Sequence, residues 1–293
     1  MRSRVVQEHR AVSLEPSATL SAIVAALAVV ASAGGLFLRG LYRDNTFVTA
    51  AWRGNDVVTL IVAVPLLVGA ARLAIDGSRR ALLVWLGMLD YMLYAYAYYV
   101  FGAAFNRFFL IYVAIFALST LALIFALAGT DAGALSAAFG PRTPVRAIAA
   151  YMLIVAAGLS AVYVAQSIGF IVTGELPAIV VATGHSTSIV FAIDLSLLVP
   201  GLVLGGFWLW QRRPWGYLLA GILNIKGAVY TLGLAVGSWQ AAKAGIPGAA
   251  AQLPFWGLLS LCGTIASVAL LRRLGTGHDR RTSQSPRRDT HSR

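Results

Sequence analysis

Charge is scarce in this chain. Of its 293 residues only 12% are Asp, Glu, Lys or Arg, about half the share of a soluble globular domain. Cysteine is scarcer still. Cys262 stands alone, which excludes a disulfide framework and a cysteine-based metal site. Of four histidines, His9, His278 and His291 lie in polar terminal arms, and His185 by itself is too little for a histidine metal centre. The motifs G-x-x-x-x-G-K-[ST], H-E-x-x-H, G-x-S-x-G and C-x-x-C are missing. Their absence removes the simplest routes to phosphate-loop, zinc-hydrolase, serine-hydrolase and thiol redox chemistry. No cofactor, metal or catalytic residue is expected.

What the chain has instead is long apolar runs. It is 59% hydrophobic with a mean hydropathy of +0.77. Eight runs stand out, at 17–38, 57–75, 81–103, 108–128, 147–172, 188–210, 216–240 and 254–271. About 20 apolar residues span a hydrocarbon core as a helix. The runs are continuously apolar rather than alternating, which favours helices over barrel strands. The expected fold is an all-α polytopic membrane protein of eight transmembrane helices. The first run follows a polar arm and is followed by seven more, so it reads as a span rather than a cleaved signal.

The loop charges set an orientation. Seventeen of the 23 basic residues fall on one side: the N-terminus, every second loop (Arg72, Arg79, Arg80; Arg142, Arg146; Arg212, Arg213) and the C-terminal tail. Only Arg39, Arg43, Arg53, Arg107 and Lys243 fall on the other. Positive charge is retained on the cytoplasmic side, so both termini are expected there, in a bacterial plasma membrane. The net charge of +12 therefore does not require nucleic acid. The lipid bilayer is the expected partner. The basic tail 272–293 reads as disordered, a topology anchor that can also lie on anionic lipid.

A duplication is visible at nearly constant spacing. Gly87-Met88-Leu89-Asp90 matches Gly221-Ile222-Leu223-Asn224, and Tyr96 matches Tyr230. Val64-Pro65-x-Leu67-Val68 matches Val199-Pro200-x-Leu202-Val203, and Val48-x-Ala50 matches Val180-x-Ala182. The expected organisation is an N-terminal arm (1–16), a four-helix repeat (17–128), a linker (129–146), a second repeat (147–271) and the tail. Four spans per repeat makes the repeats parallel, related about the membrane normal. Pro65, Pro200 and Gly201 lie within spans and are expected to break them near a site between the halves.

Asp90, Asp194 and Lys226 lie well inside the predicted spans, away from their ends. Each costs about 2.5–3.5 kcal/mol at the bilayer centre on insertion scales, so each needs a partner or water. A helical side chain leans toward its helix N-terminus, which lowers the Lys226 ammonium toward the level of Asp90. Asp90 is the preferred partner, although Lys226 would face away from it if Asp90 and Asn224 both face the repeat axis. Tyr94 and Tyr230 stand one turn from these charges and are expected to hydrogen-bond them. The outer loop Trp52-Arg53-Gly54-Asn55-Asp56 offers N-cap residues. With Asn106, Arg107 and His185 it is a candidate outer vestibule.

A membrane lysine with an aspartate on another helix is similar to the arrangement in microbial rhodopsins. Those proteins place an acidic residue four before the lysine in the last span. Here that position is Ile222, and an eighth span follows, so retinal is not expected. The favoured function is a small-solute or ion transporter, or a channel-like protein, coupled through Asp90, Asp194 and Lys226. A non-transporting sensor or assembly partner, and an enzyme acting on lipid or isoprenoid substrates, stay open.

Overall fold

A computed structural model describes the backbone of residues 2–275 and the side chains from residue 14 onward. The tail beyond 275, with His278 and His291, and the side chains of the first arm lie outside the described residues. The described chain is helical, joined by short turns. Eight of its helices are long and apolar enough to cross a bilayer, which makes this a multi-pass membrane protein.

The first span is α1 (Arg2–Phe37). The second runs α2 (Thr46–Val58), a π-helical turn π1 (Thr59–Ala63) and α3 (Val64–Ile75). The third and fourth are α4 (Arg79–Gly102) and α5 (Phe109–Ala128). A linker with the short α6 (Ala132–Ser136) leads to the fifth, α7 (Val145–Thr173). A short α8 (Ala178–Thr183) precedes the sixth, built from α9 (Ile189–Ile193), a second π turn π2 (Asp194–Leu198) and α10 (Val199–Trp210). The last two are α11 (Pro214–Lys243) and α12 (Ala249–Arg273). The face holding residues 76–78, 129–144 and 211–213 is called here the terminal face, and the opposite one the distal face.

Two findings correct the sequence reading of the second span. Its helix begins at Thr46, eleven residues before the expected start. The N-cap is Asn45, whose Oδ1 accepts from the Val48 N–H at 2.9 Å. The stretch Trp52–Asp56 is therefore helix interior rather than an outer loop, and Asn55 and Asp56 cap nothing. The polar residues lower local hydropathy, which hides the helix start, but both side chains are buried against partners.

The second correction concerns Pro65, Pro200 and Gly201. None of them breaks its span. Each proline sits in the first turn of the helix segment that follows a π turn. The Val64 N–H reaches back five residues to the Thr59 carbonyl, and the Val199 N–H to the Asp194 carbonyl. A proline has no N–H and its ring crowds the carbonyl four residues earlier. The wider π turn relieves that clash while the helix continues. Both prolines are exposed on the outer surface of the bundle and do not face its centre.

Packing separates two central helices from six peripheral ones. The apolar window of α4 is 83% buried and that of α11 56%, against 22% for α7 and α12. Helices α4 and α11 cross where both carry glycine. A Cβ on Gly87 would lie 2.8 Å from Ile225, and one on Gly221 2.8 Å from Leu83. Farther out, Gly54 of α2 lies against the backbone of Gly233 and Gly237 of α11. Between helices in lipid, small residues permit the close approach that gives van der Waals attraction its strength. Around this centre α1 packs on α3, α4 on α5, and α5 returns to α1. In the second half α7 packs on α10, α10 on α11, and α11 on α12.

Candidate functional site

A cavity of about 270 Å³ lies between the two halves. Its walls come from α2, α4, α7, α8, the sixth span, α11 and α12, and they are mainly apolar. Near the distal face it is bordered by Phe47, Trp52, Thr183, His185 and Gln252. Asp194, Lys226 and Asn224 line its wall, with Tyr94, Tyr98, Tyr163 and Tyr230 beside them, and Tyr151, Leu202 and Leu223 form its floor. Beneath the floor Met152, Leu209, Tyr217, Ala220 and Leu270 are buried together and fill the space toward the terminal face.

Asp194 opens the π turn of the sixth span and is 4% exposed. Three phenols converge on its carboxylate. Tyr94 donates to Oδ1 in a short hydrogen bond, Tyr98 donates to Oδ1 at 3.2 Å, and Tyr163 of α7 donates to Oδ2 at 2.8 Å. These charge-assisted bonds are what allow a carboxylate to sit away from water. The spacing of Tyr94 and Tyr98, four residues apart on α4, puts both on one helix face.

Lys226 is 3% exposed on α11, and its Nζ lies 3.7 Å from Asp90 Oδ2. At that distance the two are an ion pair without a hydrogen bond. The Asp90 Oδ2 atom is buried and hydrogen-bonds to nothing among the described residues. Lys226 Nζ also lies 3.8 Å from the centroid of the Tyr94 ring. Tyr94 thus touches both charged groups, with its hydroxyl on Asp194 and its ring face toward Lys226. The expected hydrogen bond from Tyr94 to the adjacent Asp90 is replaced by the one to Asp194. Tyr230 meets Tyr94 edge-on at 4.8 Å and stacks on Tyr98 at 5.9 Å, instead of bonding Lys226. Asn224 donates to the Ala220 carbonyl at 2.7 Å and borders the cavity. Tyr96 points elsewhere, stacked on Tyr99 in the core of the first half.

The residues expected to form one outer vestibule are divided. Trp52, Asn55 and His185 line the cavity. Arg53 and Arg107 are exposed at the distal end. Asn106 shapes the turn before α5 by accepting from the Phe108 N–H at 2.9 Å. Asp56 belongs to a separate buried cluster, 1% exposed. It accepts from the Tyr42 hydroxyl at 2.5 Å and from Tyr99 at 3.0 Å. Burial and the Asp56 carboxylate push the Tyr42 phenol well above its ordinary pKa, so it remains a donor in alkaline solution. Nearby, Tyr91 shares a hydrogen bond with Thr59 at 2.7 Å and donates to Asn55 at 3.2 Å.

Sequence reasoning missed Asp56 as a buried intramembrane carboxylate, and it missed Tyr163 altogether. The start of α2 at Asn45 was the available signal for the first. Nothing local marked the second, because Tyr163 meets Asp194 only through the packing of α7 on the sixth span. Compared with family models, curated proteins and solved structures, the chain matches none.

Proposed function

We propose that this protein is a small-solute transporter of a bacterial plasma membrane, with solute binding in the central cavity and charge coupling through Asp194, Lys226 and Asp90. One observation carries the reading. A cavity bordered by distal-face residues is lined at membrane depth by two charged side chains, Asp194 and Lys226, the latter paired with Asp90, and is filled beneath by packed apolar side chains. Ionisable groups at membrane depth are costly and mark ion or substrate pathways. A pocket closed on one side is the geometry of one end state in an alternating-access cycle. The basic-residue split orients the termini toward the cytoplasm, so the distal face is the outer one. A phosphatase fused to the C-terminus is then expected to be silent, and strong activity would reverse the orientation.

The two halves are in this reading a parallel duplication. Supporting it, each second span of a half carries a π turn five residues long directly before its Val-Pro pair. The matched glycines Gly87 and Gly221 also both lie at the α4–α11 crossing. The mechanism follows from charge count. Asp90 and Asp194 together carry one more negative charge than Lys226 offsets. A proton or a cationic solute arriving beside Asp194 restores balance, and its departure restores the empty state. Uptake of solutes into proteoliposomes, with and without a pH gradient, tests the function. Uptake lost in Asp194→Asn supports it. Saturable binding with no uptake under either condition would make the protein a receptor, the reading that the closed lower side also fits.

A further inference from the structure

Resting on the reading of the cavity as a solute site, we propose that its ligand is an amphipathic organic monocation that enters sideways from the lipid, between α7 and α12. The opening is visible in how these two helices are buried. On α7 the buried residues are Val145, Ile148, Ala149, Met152 and Ala156, all in the half near the terminal face. From 157 to 173 none is buried. On α12 the stretch 250–262 has none, whereas Gly263, Ala266, Ser267 and Leu270 are buried. The two helices therefore approach each other near the terminal face and stand apart from each other toward the distal face, where α12 is held along α11, with Ala249 buried beside Ala50 and Ala241. Tyr151 donates to the Leu259 carbonyl at 3.3 Å and marks where the gap begins to close. Above that point both edges face the cavity, with Val155 and Leu159 on one side and Gln252 and Trp256 on the other. The neighbouring seam is closed, since α7 stays tied to the sixth span by Tyr163 on Asp194 and by stacking of Tyr163 on Phe191 at 4.5 Å.

The chemistry of the walls selects the ligand. A route through hydrocarbon admits a body that dissolves in lipid, and the apolar lining accepts one. The charged groups on the cavity wall select the charge. Asp194 borders the cavity, and the ammonium of Lys226 is already matched by Asp90. Tyr94, Tyr98, Tyr163 and Tyr230 turn aromatic rings toward the same space, and ring faces attract cations. An anion of the same shape would meet an unbalanced carboxylate in a poorly solvated site.

Tetraphenylphosphonium and tetraphenylborate, nearly equal in size and opposite in charge, make the test. With the full chain in nanodiscs, the phosphonium is expected to bind saturably and the borate not to compete. Asp194→Asn is expected to weaken phosphonium binding tenfold or more. Equal or stronger borate binding would overturn the cationic assignment. For the route, Leu159→Trp combined with Leu259→Trp narrows the gap and is expected to slow phosphonium association about tenfold. An unchanged association rate would overturn lateral access. Should that variant fold poorly, lipids brominated on their acyl chains test the wild type directly. They are expected to quench the Trp256 emission, taken as the difference from Trp256→Phe, and phosphonium is expected to relieve the quenching. Absence of quenching would also overturn the route. Saturable phosphonium binding without transport would reject the transporter reading and leave this inference standing. Transport of another solute with no phosphonium binding would do the reverse.

Discussion

In the first four spans α1 comes back against α5, and the Ser17 hydroxyl donates to the Ala122 carbonyl across that seam at 2.7 Å. In the last four, α12 lies along α11 and leaves the distal half of α7 uncovered. The seam residues explain the difference. Ala25, Ala28, Ala122, Ala126 and Ser119 are buried on α1 and α5, and residues that small let two backbones approach. The distal half of α7 instead exposes Val162, Val164, Ile168 and Phe170. Lipid chains solvate such residues as well as another helix would, so apolarity alone does not draw α7 and α12 together.

The distal helices differ in the same sense. In the first half α2 runs unbroken from Thr46, whereas the matching stretch of the second half is split into α8 and α9. Gly184 ends α8 with a positive φ of 68°, a conformation that costs glycine little. Asn45 bridges the two halves there, donating from its side chain to the Ala182 and Thr183 carbonyls at 2.9 and 3.1 Å. One half is thus a filled ring, and the other is a horseshoe whose cavity is completed by α2 and α4 of the first.

The largest expected effect falls on the link between the halves. Lys226→Met leaves Asp90 buried and unpaired and is expected to cost about 3–5 kcal/mol. Lys226→Met with Asp90→Asn is expected to cost much less than the two single losses added. Thermal unfolding in detergent measures both, and simple additivity would mean that the residues do not interact.

Next come the two tyrosine-bound carboxylates. Asp56→Ala strands Tyr42 and Tyr99 in the filled half and is expected to cost about 1.5–3 kcal/mol, the range for hydrogen bonds to a charged group. Asp194 borders the cavity, where its tyrosine partners have space to reorient, so Asp194→Ala is expected to cost less stability while abolishing binding or uptake. Equal destabilisation by the two would erase the distinction between filled and hollow halves.

Glycines sharpen the comparison further. A Cβ on Gly54 would collide with the Gly237 backbone, and Gly54→Ala is expected to cost about 1–3 kcal/mol through overpacking. Gly158 on α7 has open space around its missing Cβ. Gly158→Ala is therefore expected to gain about 0.5–1 kcal/mol from helix propensity. A loss at Gly158 as large as that at Gly54 would show α7 to be packed.

Hydropathy and charge alone determined that there are eight apolar helices, because partition into lipid is a local property summed over about 20 residues. The proline positions marked where π turns form, since backbone sterics are local too, although the expected breaks were absent. The proximity of Lys226 and Asp90 was legible from depth, which follows from helix rise. Rotation about each helix axis was not legible. It decides that Tyr94 bonds Asp194 rather than Asp90, that Tyr163 joins them from α7, and that Asp56 is satisfied by Tyr42 and Tyr99. It also decides that one half closes and the other does not. In lipid those choices depend on which surfaces approach closely enough for packing and hydrogen bonds, and only the folded arrangement of all eight helices sets that distance.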